Sequence, residues 1–290
     1  MKPPVFEYVA PRSSQETISL LTQHGEDARL LAGGQSLIPL LNFRMARPSV
    51  LIDINRCPDF SYLRLEADTI VIGPMTRQAT AEHSLIVREH CPLLVRALRF
   101  MGHLTIRNRG TIGGSLAHAD PGGELPTAAM VLNAEFILER DDGRRSLGPD
   151  EFFLGSLATA IEPGEMLREI RFPIKKTGDR YAFTESGVRR ADLAIAGVAA
   201  HVHIGASGVC EKASLVALGG GTRPTRLTSV EAAVVGAEIR DIDIHAAAAA
   251  GRADVDPPTD LQATGAYRRD LLISLTVDAL KQVFDVEMKR

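Results

Sequence analysis

The sequence predicts an α+β protein whose N-terminal part is of the α/β type. Three observations support this class. Strand-like and helix-like segments alternate at the start of the chain, hairpin patterns flank a helical stretch in its middle, and strand-like segments precede alanine-rich helix near its end. Because 290 residues exceed one typical domain, several compact units are expected. We place them at residues 1–56, 57–177 and 178–290.

The first unit has a β-α-β-α-β pattern, which is typical of α/β folds. The first strand is "FEYVAP", and either Ser13 or Ser14 is placed to cap the helix "SQETISLLTQHG", which Gly25 ends. A strand "ARLLAGG", a helix "SLIPLLNFRMA" and a strand "SVLIDINR" complete the unit.

The second unit combines hairpins with helices. The segment "YLRLEADTIVIGPMT" predicts a hairpin with Ala-Asp at its turn, and "TAEHSLIVREHCPLLVRALRFMG" is helical. A helix "LPTAAMVLNA" and a hairpin "EFILERDDGRRSLG" with Asp-Asp-Gly at its tip follow. The strand "MLREIRFPIKK" closes the unit.

The break before the third unit falls around "KKTGD". The segments "RYAFTESG", "LAIAGVAAHVHIGASG" and "VCEKASLVALGG" predict an antiparallel meander of three strands. The rest of the chain is predicted to be alanine-rich helix, including "GAYRRDLLISLTVDALKQVFD".

Composition argues against several classes of protein. A formal net charge of −3 and the absence of Trp argue against a nucleic-acid partner. No apolar run approaches the roughly 18 residues that a membrane span needs, and the start "MKPPVFEYVAPRS" has no signal-peptide core. The three cysteines form no C-x-x-C motif, so they suggest neither a four-cysteine cluster nor a disulfide framework. We therefore expect a cytoplasmic protein.

Two glycine pairs, Gly33–Gly34 and Gly113–Gly114, each stand before a helical pattern. A strand that stops at Gly-Gly and turns into a helix exposes several N–H groups in one concavity, which suits a phosphate. Two such loops suit the two phosphates of a dinucleotide, although each motif alone also fits a plain turn. Neither G-x-G-x-x-G after a strand nor G-x-x-x-x-G-K-[ST] occurs, which argues against a standard Rossmann NAD enzyme and a P-loop ATPase.

The segments "AGGQSLIP", "IRNRGTIGGSLAHADPGGELP" and "RRADLAIAGVAA" carry a resemblance through nearly the whole chain. The sequence resembles the FAD-binding medium subunit of the molybdenum hydroxylases, which include aerobic carbon monoxide dehydrogenase, nicotine and caffeine dehydrogenases, and the flavin domain of xanthine dehydrogenase. The resemblance implies a two-part FAD-binding domain of the vanillyl-alcohol-oxidase type, followed by a flavoprotein C-terminal domain. It also implies FAD as cofactor. The implied partners are a large subunit with the molybdenum cofactor and a small [2Fe–2S] subunit, assembled as a dimer of heterotrimers.

The same resemblance assigns the residues that would bind FAD. The two FAD loops consist of Ala32, Gly33, Gly34, Gln35, Ser36 and Leu37, and of Thr111, Ile112, Gly113, Gly114 and Ser115. They would bind the pyrophosphate mainly through main-chain donors, which need no ordering of a long side chain. Glu124 falls where the family often has an acidic residue that accepts from ribose or ribityl hydroxyls, and Asp120 is a further candidate ligand. Asp192 and Leu193 fall where the C-terminal domain approaches the flavin.

Simpler roles compete with these assignments. Glu124 is equally placed to cap the helix that follows it, and Asp120 before a proline is a usual turn residue. Several relatives have an aromatic or β-branched residue where this chain has Leu193. The Leu193 side chain would therefore cover one face of the flavin ring without stacking on it. Ser115 replaces the Asn or Asp often found there, which keeps a donor but shortens its reach.

Other polar residues have open roles. Arg107 and Arg109 flank the second loop and would either steady an anion or pair with acids. His201 and His203 would point to one side of a strand; without a third ligand, we expect a solvated strand face rather than a metal site. His103 and His118 are interpreted as loop histidines.

These observations predict an oxidoreductase subunit. FAD in this chain would pass electrons from the partner's [2Fe–2S] clusters to an external acceptor, with no catalytic residue or metal of the chain's own. One alternative is a stand-alone FAD-dependent reductase or oxidase that binds its own substrate, for which the isolated chain would turn over. Another is a non-flavin binding or scaffold protein, which would be colourless when purified.

Overall fold

Three larger sheets follow one another along the chain in the computed structural model, which describes residues 2–189 and 191–285. The first is parallel, and the second and third are antiparallel. Helices pack against each of them. The predicted α+β class with an α/β N-terminal part is therefore confirmed.

The first sheet has three strands in the order β1-β3-β2. The elements of this region are, in chain order, β1 (Glu7–Val9), α1 (Ser14–His24), β2 (Ala28–Leu31), α2 (Leu37–Asn42) and β3 (Val50–Asp53). The predicted β-α-β-α-β order is confirmed. Ser13, not Ser14, caps α1 by accepting a hydrogen bond from the Glu16 N–H at 3.2 Å, and Gly25 ends the helix with a φ of 50°.

The second sheet has five strands in the order β4-β5-β10-β6-β7. Its strands are β4 (Leu63–Glu66), β5 (Thr69–Ile72), β6 (Glu135–Arg140), β7 (Gly143–Leu147) and β10 (Met166–Pro173), and a separate small pair consists of β8 (Phe153–Gly155) and β9 (Ala158–Thr159). Both predicted hairpins form. Ala67 adopts a positive φ of 42° at the turn between β4 and β5. The late strand β10 lies in the centre of the sheet, between β5 and β6.

The helices of this middle region are short. They are α3 (Gln78–His83), α4 (Leu85–His90), α5 (Pro92–Phe100), α6 (Leu104–Arg107), α7 (Ile112–His118), α8 (Glu124–Val131) and α9 (Pro149–Phe152). The stretch predicted as helical around residues 80–102 is divided into α3, α4 and α5. Ser84 caps α4, and Pro92, which lacks an N–H, begins α5 instead of continuing the preceding helix.

The third sheet has four antiparallel strands in the order β11-β12-β13-β14. Its strands are β11 (Asp179–Gly187), β12 (Ala194–Ile204), β13 (Cys210–Leu218) and β14 (Thr225–Arg226). The helices of this region are α10 (Thr228–Val234), α11 (Ile244–Ala250) and α12 (Gly265–Val283). The predicted three-strand meander is confirmed, and β14 extends it. The predicted helices of the C-terminal region are also present as α10, α11 and α12, the last of which ends at Val283.

The second and third sheets share one hydrophobic core. Tyr181 and Phe183 of β11 and Leu218 of β13 belong to the same buried cluster as Leu98 and Met130 of α5 and α8. The other face of the third sheet forms a second core with α10, α11 and α12. The third sheet is thus packed between its own helices and the helices of the middle region.

Candidate functional site

The first glycine loop connects β2, which ends at Leu31, to α2, which begins at Leu37. Gly34 has a φ of 73°, in the region that favours glycine. The N–H groups of residues 33–37 have no acceptor within the described chain, whereas the next one, of Ile38, bonds to the Gly34 carbonyl at 3.0 Å. Gln35 is exposed, and its Nε2 donates to the Gly33 carbonyl at 3.0 Å. Five adjacent free donors form a main-chain site that suits an anion.

The second glycine pair has a different geometry. Gly113 and Gly114 lie within the first turn of α7, so the prediction of a Gly-Gly turn before the helix is wrong at this position. The reason is that Thr111 starts the helix earlier, by accepting a hydrogen bond from the Gly114 N–H on its Oγ1 at 3.0 Å.

The main-chain N–H groups of residues 112–115 in this second motif already have acceptors. The N–H groups of Ile112 and Gly113 donate to the carbonyls of Thr76 and Pro74, both at 2.9 Å, and the Ser115 N–H donates to Thr111 at 3.2 Å. The free main-chain donors therefore come from the first loop. Direct binding by the second motif would depend on side chains such as Ser115, whose contact with a ligand stays a prediction.

The two loops pack main chain against main chain. A Cβ atom at Gly33 would lie 2.4 Å from the Arg109 carbonyl oxygen and 2.8 Å from the Gly110 Cα. A Cβ at Gly114 would lie 3.5 Å from the Ala32 Cβ. Since only glycine permits the approach at Gly33, the structure confirms that the two glycine motifs come together in space.

Asn55 and Arg77 form a polar bridge that holds the loops in place. The Asn55 Nδ2 donates to the Ala32 carbonyl at 2.8 Å, and the Arg77 Nη2 donates to the Asn55 Oδ1 at 2.7 Å. The Arg77 Nη1 donates in turn to the Arg109 carbonyl. Burial, followed by the neighbouring Arg109 charge, lowers the pKa of Arg77. Sequence reasoning missed both residues, because no spacing pattern links Asn55 to Arg77.

Replacing Asn55 with alanine is expected to weaken binding of the dinucleotide cofactor about tenfold, because the first loop loses its bridge to Arg77 and its donors are no longer held in place. Equilibrium titration of the refolded, cofactor-free protein measures this change. Gln23, an exposed amide on α1, gives the control Gln23→Ala. Equal affinities for the two variants would contradict a role for the bridge.

Asp120 lies in the turn between α7 and α8, and Glu124 lies at the start of α8. The Asp120 Oδ1 accepts from the Gly122 N–H at 2.8 Å, so the turn role is present. Glu124 is the first residue of α8 and is only 8% exposed, but the N-cap residue is Gly123. Burial, with a smaller contribution from the Asp120 charge, raises the pKa of Glu124 to about 7. Glu124 therefore leads the helix without capping it, and the ligand roles of both acids stay predictions.

Glu185 on β11 is a further acid near this turn. Its Oε2 is buried and has no hydrogen-bond partner among the described residues. Burial, and then the charge of Glu124, raise the pKa of Glu185 to about 8. Sequence reasoning missed it, because one acid in a strand such as "RYAFTESG" gives no signal of which residue packs against it.

Asp192 and Leu193 lie in the loop between β11 and β12. The Asp192 N–H donates to the Arg189 carbonyl at 3.2 Å, and Leu193 is 66% exposed. No described contact joins either residue to the glycine loops, and Arg190 of the same motif lies outside the described residues. Their place at the cofactor stays a prediction.

The charged residues around the second motif have structural partners. The Arg107 Nε donates to the Glu82 Oε2 at 2.8 Å, which favours pairing with an acid over binding an anion. Arg109 is exposed and contributes its carbonyl to the bridge. His103 directly precedes α6, and His118 is the last residue of α7.

His201 and His203 do not lie on a solvated strand face. Both side chains are 25% exposed and approach the Asp179 Oδ1, His201 through Nε2 at 3.1 Å and His203 through Nδ1 at 2.8 Å. The ring of Tyr181 stacks on His201. The expectation of a solvated face is therefore wrong, because Asp179 of the adjacent strand β11 draws both rings inward. Residues 2–189 and 191–285 contain no group of three or more side chains suited to a metal ion.

Two family models match the chain over nearly its whole length. Residues 4–175 match the FAD binding domain in molybdopterin dehydrogenase. The chain belongs to this FAD-binding family of the molybdopterin dehydrogenases. Residues 181–283 match the CO dehydrogenase flavoprotein C-terminal domain. The resemblance inferred from the sequence, FAD as cofactor and the oxidoreductase class are confirmed.

Relatives of this FAD-binding subunit are similar along almost their entire length. The 6-hydroxypseudooxynicotine dehydrogenase complex subunit alpha of Paenarthrobacter nicotinovorans is 39% identical over 272 residues, covering 94% of this chain and 92% of that protein. The carbon monoxide dehydrogenase medium chain of Hydrogenophaga pseudoflava is 38% identical over 278 residues, with coverage of 92% and 93%.

Solved structures agree with the fold. Carbon monoxide dehydrogenase from Hydrogenophaga pseudoflava superimposes with a TM-score of 0.94 at 37% identity, covering 98% of this chain and 99% of that chain. Quinoline 2-oxidoreductase from Pseudomonas putida 86 gives a TM-score of 0.93 at 31% identity, with coverage of 98% and 99%. The fold implied by the resemblance, an FAD-binding domain followed by a flavoprotein C-terminal domain, is confirmed.

The residues present fit FAD. The pyrophosphate of FAD is an anion that matches the free N–H groups of residues 33–37, and the close contact at Gly33 keeps this loop against the second motif. The buried Glu185 Oε2 is a polar atom that lacks a partner within the described chain, and the charge of Glu124 acts on this carboxyl group. None of the helices in the described ranges is long and apolar enough to cross a membrane.

Proposed function

We propose that this chain is the electron-transfer subunit of a multi-subunit molybdenum hydroxylase or dehydrogenase. FAD bound here passes electrons from the partner's [2Fe–2S] clusters to an external acceptor. The family match supports the cofactor, and the names of the relatives, "complex subunit alpha" and "medium chain", support assembly with other chains. The proposed partners are a large molybdenum-cofactor subunit and a small [2Fe–2S] subunit, in a dimer of heterotrimers.

One observation carries this proposal: the free N–H groups of residues 33–37, held by the Asn55–Arg77 bridge. These donors bind the pyrophosphate without the entropy cost of ordering long side chains. Gly33 lets the two loops approach each other, which fixes the direction of the donors. Bound FAD supplies the redox-active ring, and the chain positions it.

We also propose the division into units at residues 1–56, 57–177 and 178–290. Its support is that the strands of each larger sheet come from one unit only. A cytoplasmic location is proposed as well, supported by three buried cysteines that are all free thiols.

We expect the protein, purified from its native source or reconstituted with excess FAD, to hold close to one FAD per chain. The yellow absorbance spectrum and mass analysis of the released ligand measure this. A well-folded, colourless protein would contradict the proposal and favour a scaffold without flavin.

Reduction experiments separate the subunit from a stand-alone reductase or oxidase. The flavin of the isolated chain should stay oxidised when small organic substrates are added, and should be reduced when the partner subunits and their substrate are supplied. Turnover by the isolated chain would favour the stand-alone enzyme.

A further inference from the structure

Glu185 faces the middle region of the protein. Side chains alternate along β11: Thr184 points toward α12, where its Oγ1 donates to the Leu275 carbonyl at 3.0 Å, whereas Tyr181 and Phe183 belong to the core shared with the second sheet. Glu185 follows Phe183 by two residues and therefore shares its face. The third unit thus directs a carboxyl group toward the helices that follow the glycine loops.

Space for this carboxyl group comes from a glycine. Glu185 pairs with Gly197 on β12, and Gly197 pairs with Leu218 on β13. Gly219, which directly follows β13, donates its N–H to the Pro121 carbonyl at 3.0 Å. These strand pairs connect Glu185 to the segment between α7 and α8, close to Asp120 and Glu124. Because Gly197 has no side chain, the face of β12 beside Glu185 is open.

Among the described residues, no cation lowers the pKa of Glu185. Glu124 of α8 is the charge that acts on it most, and Asp120 lies behind Glu124 in the same turn. Arg268, the cation near Gly219, is held by Asp260 at 2.6 Å. Two further charged residues near the end of β11, Arg189 and Asp192, lie in the loop between β11 and β12. In these surroundings the neutral acid is favoured, and a neutral carboxyl group is a hydrogen-bond donor.

We infer that Glu185 is an FAD ligand contributed by the third unit, whose protonated carboxyl group donates a hydrogen bond to an oxygen or nitrogen acceptor of the cofactor. The inference rests on the proposed function, because FAD is the polar molecule that the adjoining loops fit. It explains why an oxygen atom buried at a sheet–helix interface lacks a partner within the described chain. Burial, and then the charge of Glu124, favour the protonated form of Glu185.

The test compares Glu185→Gln and Glu185→Leu by titrating cofactor-free protein with FAD at several pH values. The Gln side chain keeps a donor, so its Kd at pH 7 should stay within about twofold of the original, whereas Leu should raise it about tenfold. Above the pKa of about 8, Glu185 loses its proton. The Kd of the unchanged protein should therefore rise between pH 7 and 9, and this rise should be much smaller in Glu185→Gln.

Thermal unfolding of the FAD-free variants separates binding from folding. Glu185→Leu removes a buried acid without a partner, so it should be at least as stable as the unchanged protein while binding FAD more weakly. The control is Glu231→Gln, which changes a partly buried acid of α10 that accepts from the Leu215 N–H at 2.8 Å, and it should leave the Kd unchanged. Unchanged FAD affinity in Glu185→Leu would overturn the inference alone; no FAD binding by the unchanged protein would overturn the proposed function as well.

Discussion

Gly33→Val is expected to abolish useful FAD binding, raising the Kd on the order of 100-fold or more. Even the Cβ atom of a side chain at this position would lie 2.4 Å from the Arg109 carbonyl oxygen. This oxygen belongs to the main chain and cannot rotate away. The loop would have to move, which breaks the Asn55 contact with Ala32 and displaces the N–H groups of residues 33–37. FAD titration followed by flavin fluorescence measures the effect.

A second glycine provides the matched control for this substitution. Gly155, in the short strand β8, has open space around its Cβ position, with no atom within 4 Å. Gly155→Val should therefore bind FAD as the unchanged protein does. Retention of full FAD affinity by Gly33→Val would show that the contact between the loops does not position the donors.

Gly113→Ala is expected to destabilise the FAD-free protein by about 2 kcal/mol. Its Cβ would lie 2.4 Å from the Pro74 Cβ and 2.6 Å from the Pro74 Cα, and the proline ring has little freedom to yield. Alanine is the better helix former by about 1 kcal/mol, so a loss of stability at this helical position has to come from the clash. Urea unfolding of the FAD-free variant provides the measurement.

The neighbouring glycine tests the same interpretation. A Cβ at Gly114 would meet the Thr111 Oγ1 at 2.8 Å and so disturb the cap of α7, which is worth about 1 kcal/mol. Gly114→Ala should thus lose less stability than Gly113→Ala. If Gly113→Ala is as stable as the unchanged protein, the packing of α7 on Pro74 does not limit the fold.

Local patterns carried most of the prediction of the fold. Caps and glycines mark α1 from Ser13 to Gly25, and Ala67 and the Asp-Asp-Gly tip mark the hairpins, because these features act over a few residues. The segment before Phe100 was harder to divide. Its apolar periodicity continues across Ser84 and Pro92, although those two residues break the hydrogen-bonded helix there.

The candidate site was only partly predictable. The first loop follows from a strand that stops at Gly33–Gly34, and the structure agrees. In the second motif, the helix begins at Thr111, before the glycines. The Ile112 and Gly113 N–H groups at this helix start bond to the carbonyls of Thr76 and Pro74, which lie more than 30 residues earlier, so the local sequence does not reveal where the helix begins. Asn55, Arg77 and Glu185 become site residues only through contacts between distant segments, and one sequence without long-range pairing information does not reveal these.

The central position of β10 has a consequence for synthesis on the ribosome. The inner edges of β5 and β6 find their hydrogen-bonding partner only when residues 166–173 have emerged, whereas the three strands of the first sheet are complete by Asp53. Until then the nascent chain presents two open, apolar strand edges, the kind of surface that chains use to aggregate. Slow translation ahead of β10 would prolong that exposure, so the yield of folded protein should respond to codon choice between residues 140 and 165 more than to codon choice after β13.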